Sequence, residues 1–157
     1  MAYDIKRMYA QAKGFQLAAE RCLEEREHPE QKWLPIQAIV CYAFSCEIYL
    51  KAIHTYEHPD SACIQGHYLD ELFNSISEES KTEIEHALLK SYSRDKIAQY
   101  ICESRKIFEE YRYVYERDSD DRENIGFVCV FAEALEKLVG KMIWKTVFQM
   151  AGIEDKI

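Results

Sequence analysis

The feature that most constrains this chain is how little punctuation it carries. Only 5 glycines and 3 prolines occur in 157 residues, too few for the turns that many short strands need. Apolar residues instead recur at helical spacing over long stretches. Ile5, Met8, Ala12, Phe15, Ala19 and Cys22 step by three and four, which predicts a helix from about Tyr3 to Glu27, broken at Pro29 in "EHPEQ". A second helix starts near Trp33 or Leu34, with Pro35 in its first turn. Its core stripe is Ile36, Ile39, Val40, Ala43, Phe44, Leu50 and Ile53, and Pro59 closes it. The loop "HPDSACIQG" and a short amphipathic turn, "HYLDELFNSI", follow. Ser80 or a neighbour caps a helical run over "TEIEHALLKSY". A long helix is then expected from about Asp95 to Arg117, with Ile97, Ile101, Phe108, Tyr111 and Tyr115 inward and Arg112 beside them. Asp120 with Glu123 reads as a capping box for the last helix, which carries Val128, Phe131, Ala132, Leu135, Leu138, Val139 and Met142. There is no repeat and no low-complexity segment. The expectation is one all-α domain over residues 1–157, an up-and-down bundle of four to five helices.

A net charge of −8 argues against general binding of polyanions, which takes clustered Lys and Arg, while leaving room for a local basic site facing RNA. The 6 cysteines show neither a C-x-x-C pair nor zinc-like spacing. Cys41 and Cys46 lie five apart on one helix, a poor separation for a disulfide, so buried free thiols in a reducing cytoplasm are the reading. The opening "MAYDIKRMYAQAKGFQ" has charges where the apolar region of a signal peptide would stand, and no apolar run is expected to reach the length of a membrane span.

Several polar positions interrupt this regular pattern. Glu47 falls inside the second stripe, four after Ala43 and three before Leu50, with Lys51 one turn on. Lys51 reads as half of an i,i+4 ion pair worth on the order of 0.3 kcal/mol. Glu47, among apolar neighbours, reads as a buried structural carboxylate or as a group facing a ligand cleft. Burial without a partner is expensive, and Arg112 is the best-shaped partner, because its planar fork holds a carboxylate with two hydrogen bonds. Tyr115 or His67 would complete that network. His67 otherwise orders its loop or faces a ligand. "HTYEH", His54 to His58, matches the H-x-x-E-H zinc arrangement, although Pro59 ends the helix at once and no third ligand is evident. Glu83 with His86 is a single copy where a di-iron bundle needs two, and reads as surface. Tyr100, Tyr111, Tyr113 and Tyr115 fit either a tyrosine-rich core and dimer seam or a base-stacking face.

Three fragments in order, "SCEIYLKAI", "GHYLDELFNSI" and "FEEYRYVYE", resemble the HEPN family of small helical-bundle domains. Related members carry a Ser-x-Glu-x-x-x-Lys stretch, here Ser45, Glu47 and Lys51. A Gly-His-x-Leu-x-x-Leu-Phe turn follows, here Gly66, His67, Leu69, Leu72 and Phe73. Later comes an Arg-Tyr-x-Tyr-Glu stretch, here Arg112, Tyr113, Tyr115 and Glu116. The match runs from roughly Ala38 to Glu116 and the helix after it. The resemblance implies an all-α bundle that pairs as a homodimer in prokaryotic defence, in toxin–antitoxin pairs or beside a nucleotidyltransferase. It implies RNA, a nucleotide, an antitoxin or a nucleotidyltransferase as partner, no membrane, no cofactor and no metal. Many members are metal-independent ribonucleases with an arginine followed four to six residues later by a histidine, arginine holding the phosphate and histidine moving the proton. This sequence departs from that motif. No histidine follows His86, so none of Arg94, Arg105, Arg112, Arg117 or Arg122 can begin it, and Arg21 with His28 stands on the wrong element. The expected function is therefore a dimeric RNA-, nucleotide- or partner-binding module. One alternative is an active ribonuclease toxin using Arg112 with Tyr115 or His67, and a weaker one is a metal-dependent hydrolase at His54 and His58. The expected site is the polar cluster Glu47, Lys51, His67, Arg112, Tyr115 and Glu116.

Overall fold

Asp4 opens the first helix by accepting the Lys6 N–H at 2.9 Å, which satisfies one of the donors a helix start leaves bare. The computed structural model describes residues 4–25, 27, 32–107, 111 and 122–151. It contains, among the described residues, six α-helices and no strand: α1 Ile5–Leu23, α2 Pro35–Glu57, α3 Leu69–Asn74, α4 Glu78–Leu88, α5 Arg94–Glu103 and α6 Arg122–Met150, with a 3₁₀ turn at Ser104–Lys106. The all-α expectation holds.

The helices form around α2. Its buried positions, Ala38, Ile39, Tyr42, Ala43, Ser45, Cys46, Glu47, Tyr49, Leu50, Ala52 and Ile53, include neighbours in sequence, so it buries more than one face. One side packs on α1 and another on α6, with α3 against it as well. Small residues among the buried set let backbones approach closely, and each buried Leu or Ile contributes about 2 kcal/mol of transfer free energy. The α1–α2 pair is antiparallel, since Tyr49 meets Gln16 and the Leu34 N–H reaches the Cys22 carbonyl at 2.8 Å. α6 runs parallel to α2: Cys46 meets the Val128 carbonyl at 3.7 Å, and Glu57 lines a cleft with Lys141 and Met142. All seven expected inward residues of α6, from Val128 to Met142, are buried. Around its start, Tyr92, Tyr100, Phe127, Phe131 and Phe73 make a chain of ring contacts with centroids 5.1–6.0 Å apart, tying α3 and α5 to α6.

Three expectations need correcting. α2 is long and apolar enough to pass for a membrane span by length and composition, contrary to the sequence reading, but most of its apolar window is buried against other helices. The long helix expected from Asp95 is interrupted after Glu103. There the Ser104 hydroxyl donates to the Ile101 carbonyl at 2.7 Å, and the backbone tightens into the 3₁₀ turn. The cap of α4 is Ser77, whose hydroxyl accepts from the Ser80 N–H at 3.2 Å. The expected capping box at Asp120 and Glu123 lies outside the described residues.

Candidate functional site: a buried carboxylate under a surface histidine

The site begins with Gly66. Its φ of +105° is a conformation that side chains rarely adopt, and it turns the extended segment after α2 back toward the bundle. Leu69, Leu72 and Phe73 then anchor α3 in the core. Between the turn and the anchor, His67 is set over α2. Its Nδ1 lies 3.0 Å from Glu47 Oε1, and Lys51 Nζ donates to the same oxygen at 2.7 Å. Exposure grades steeply across the three side chains: 7 % for Glu47, 16 % for Lys51 and 73 % for His67. The carboxylate is thus a buried post holding one mostly buried cation and one exposed imidazole. Glu47 Oε2 is itself buried and accepts no hydrogen bond among the described residues.

Next to it, Arg105 fastens α3 to the 3₁₀ turn. Its guanidinium donates to Asp70 at 2.9 Å and to Glu71 at 2.6 Å, and it lies 4.5 Å from the Tyr68 ring centre. Those hydrogen bonds push the Arg105 pKa up. The corner that presents His67 is thereby held from both ends.

Of the expected site residues, Glu47, Lys51 and His67 come together. Arg112, Tyr113, Tyr115 and Glu116 lie outside the described residues, and with them the expected pairing of Glu47 with Arg112. Tyr100 and Tyr111 are buried, which places these two in the core and not on a base-stacking face. The "HTYEH" stretch is arranged for structure. Glu57 accepts the Ser77 N–H at 2.8 Å and the Ser77 and Ser80 hydroxyls at 2.7 and 2.6 Å, so it straps α2 to the start of α4. His54 and His58 stack with ring centres 4.4 Å apart, and His58 Nδ1 sits 3.0 Å from the His54 carbonyl. Burial, and then the neighbouring His58, lower the His54 pKa. Among the described residues no three His, Cys, Asp or Glu side chains gather as metal ligands. Glu83 is a surface partner of Lys141 at 3.0 Å. All six thiols are free, and burial pushes those of Cys41, Cys46 and Cys129 up, the opposite of an activated nucleophile.

A second polar cluster joins α1, α2 and α6. Lys13 Nζ donates to Glu136 at 2.9 Å and the Tyr9 hydroxyl donates at 3.1 Å. Tyr49 donates to the fully buried Gln16 at 3.2 Å. Burial alone would raise the Glu136 pKa, but hydrogen bonds from Lys13, Gln16 and Tyr9 outweigh it and hold the carboxyl below its ordinary value. Sequence reasoning missed this cluster. Its one signal was Gln16, a polar residue four after Ala12 and three before Ala19 on the buried face.

Neither a family model, nor a curated protein, nor a solved structure matches this chain.

Proposed function

We propose that this chain is a HEPN-like helical module that pairs as a homodimer and binds RNA or a nucleotide at the Glu47–Lys51–His67 surface, in a prokaryotic defence or toxin–antitoxin setting. The observation that carries the reading is the shared oxygen. One carboxylate oxygen faces both the Lys51 ammonium and the His67 ring, so two nitrogen groups converge on one patch of an acidic protein. The exposed imidazole is held in a fixed orientation, which spares a phosphate ligand the cost of ordering it. A cytoplasmic location and an antitoxin or nucleotidyltransferase partner belong to the same reading, which rests on the resemblance of the "SCEIYLKAI" and "GHYLDELFNSI" stretches.

A second reading is favoured by the same pair of residues. A buried carboxylate bonded to an exposed imidazole is the arrangement that orients a general acid or base, so a metal-independent ribonuclease using Arg112 with His67 is the alternative. Incubating the protein with single-stranded RNA in EDTA separates the two. Retention of intact RNA supports the binding module. Cleavage that disappears in His67→Ala supports the ribonuclease, and neither binding nor cleavage rejects both.

A further inference from the structure

Of the "HTYEH" stretch, the fold uses the glutamate and leaves the two histidines over. Glu57 is engaged by Ser77 and Ser80. His54 and His58, one turn apart on α2, stack with ring centres 4.4 Å apart and planes 24° from parallel. His58 is tied down twice where the helix ends. Its backbone N–H donates to the His54 carbonyl at 3.0 Å, and its Nδ1 lies 3.0 Å from the same oxygen. A carbonyl only accepts, so Nδ1 carries the ring hydrogen and the lone pair of His58 is on Nε2. Holding one ring nitrogen with a carbonyl so that the other offers its lone pair is how proteins prepare a histidine for a metal. On His54, Nδ1 is buried and meets no partner among the described residues, so nothing ties that ring to one tautomer. Both rings thus turn Nδ1 toward the protein, which carries both Nε2 atoms on the outer side of the stack.

We propose that His54 and His58 form a two-histidine site for a divalent ion of the zinc, nickel and copper class, bound through the two Nε2 atoms at the C-terminal end of α2. Imidazole nitrogen is a donor that suits these ions, and histidines at i,i+4 on one helix face chelate them. An ion about 2.0–2.1 Å from each nitrogen needs the two donors about 3.3 Å apart, so the rings close from the stack by about 1 Å. The carbonyl end of a helix carries partial negative charge, which favours a cation there. No third side chain gathers with them among the described residues, so water fills the rest of the shell. Glu57, held by Ser77 and Ser80, is not placed to act as a base, so the site binds metal without the hydrolytic machinery of an H-x-x-E-H enzyme. The bound ion staples the last turn of α2, the turn from which Glu57 reaches α4.

Calorimetric titration of the whole, chelator-treated chain with zinc chloride tests this. Wild type and His86→Ala, a change on α4, should take up the ion equally. His58→Ala, a change at an exposed position, and His54→Gln should each weaken uptake by about tenfold or more, the scale of losing even an outer partner of a metal ligand. Excess zinc should raise the midpoint of thermal unfolding in wild type and leave it unmoved in His58→Ala. A wild type that takes up no zinc, or uptake as tight in His58→Ala as in wild type, overturns the site. So does a zinc-induced rise in midpoint that survives that substitution.

Discussion

Glu47 shows what one misplaced charge in an apolar stripe signifies. The sequence marked it because no solvent-facing explanation fits its position, and the structure supplies two partners, one local and one 20 residues away. The local partner, Lys51, follows from helical spacing. His67 could be named only as one of two residues, with Tyr115, that would complete a Glu47–Arg112 pair, because the turn at Gly66 that delivers it depends on backbone geometry that spacing does not encode. Removing the carboxylate strands Lys51 near the core, so Glu47→Ala should cost about 2 kcal/mol in urea unfolding, below the range for fully buried pairs because His67 is mostly exposed. Lys51→Met leaves the buried Glu47 carboxylate with only His67 for a partner among the described residues and should cost a similar amount, about 2 kcal/mol. A Glu47→Ala protein as stable as wild type would contradict this assignment. Glu136 makes a pH-dependent counterpart. Its folded-state pKa lies below the ordinary 4.5. The Lys13–Glu136 contribution is therefore fully present above that value and is lost as pH falls through the depressed one. Thermal unfolding followed from pH 7 downward should show a stability loss on the acid side that is shallower in Glu136→Gln; identical acid limbs would exclude the role.

At the scale of elements, periodicity located α1, α2 and α6 because each buries long stripes. It was weaker where a side chain overrode the helix. Ser104 capturing the Ile101 carbonyl ends α5 within an unbroken apolar pattern, and no spacing rule reveals that. Within the zinc-like spacing the glutamate has a structural role instead: the Glu57 of "HTYEH" serves the start of α4, a contact between elements that a local motif cannot show. Glu57→Ala removes acceptors from the Ser77 N–H and from the Ser77 and Ser80 hydroxyls and should cost about 1.5 kcal/mol, in the range of lost helix caps. Hydrogen exchange should then speed up in the first turn of α4 before anywhere else; uniform acceleration would argue against a strap. Gly66→Ala forces a Cβ onto a φ of +105° and should destabilise by about 1–2 kcal/mol. On the binding function proposed above, the same change should loosen His67 and lower the affinity for a nucleotide.

For the molecule as a whole, α2 gives the structure its logic. A helix apolar enough to cross a membrane packs against α1, α3 and α6, and the one carboxylate on its buried surface sits under His67, a residue of the segment that leads into α3. That contact is where a chain with net charge −8 concentrates two basic groups. The most direct test is fluorescence anisotropy of a labelled single-stranded RNA, in EDTA, against wild type, Lys51→Met and His67→Asn at two salt concentrations. The account predicts measurable wild-type binding, weakened in each variant, with the salt dependence of the logarithm of affinity reduced by about one for Lys51→Met. Wild-type binding that both substitutions leave unchanged would show that the Glu47–Lys51–His67 surface is not where the ligand sits.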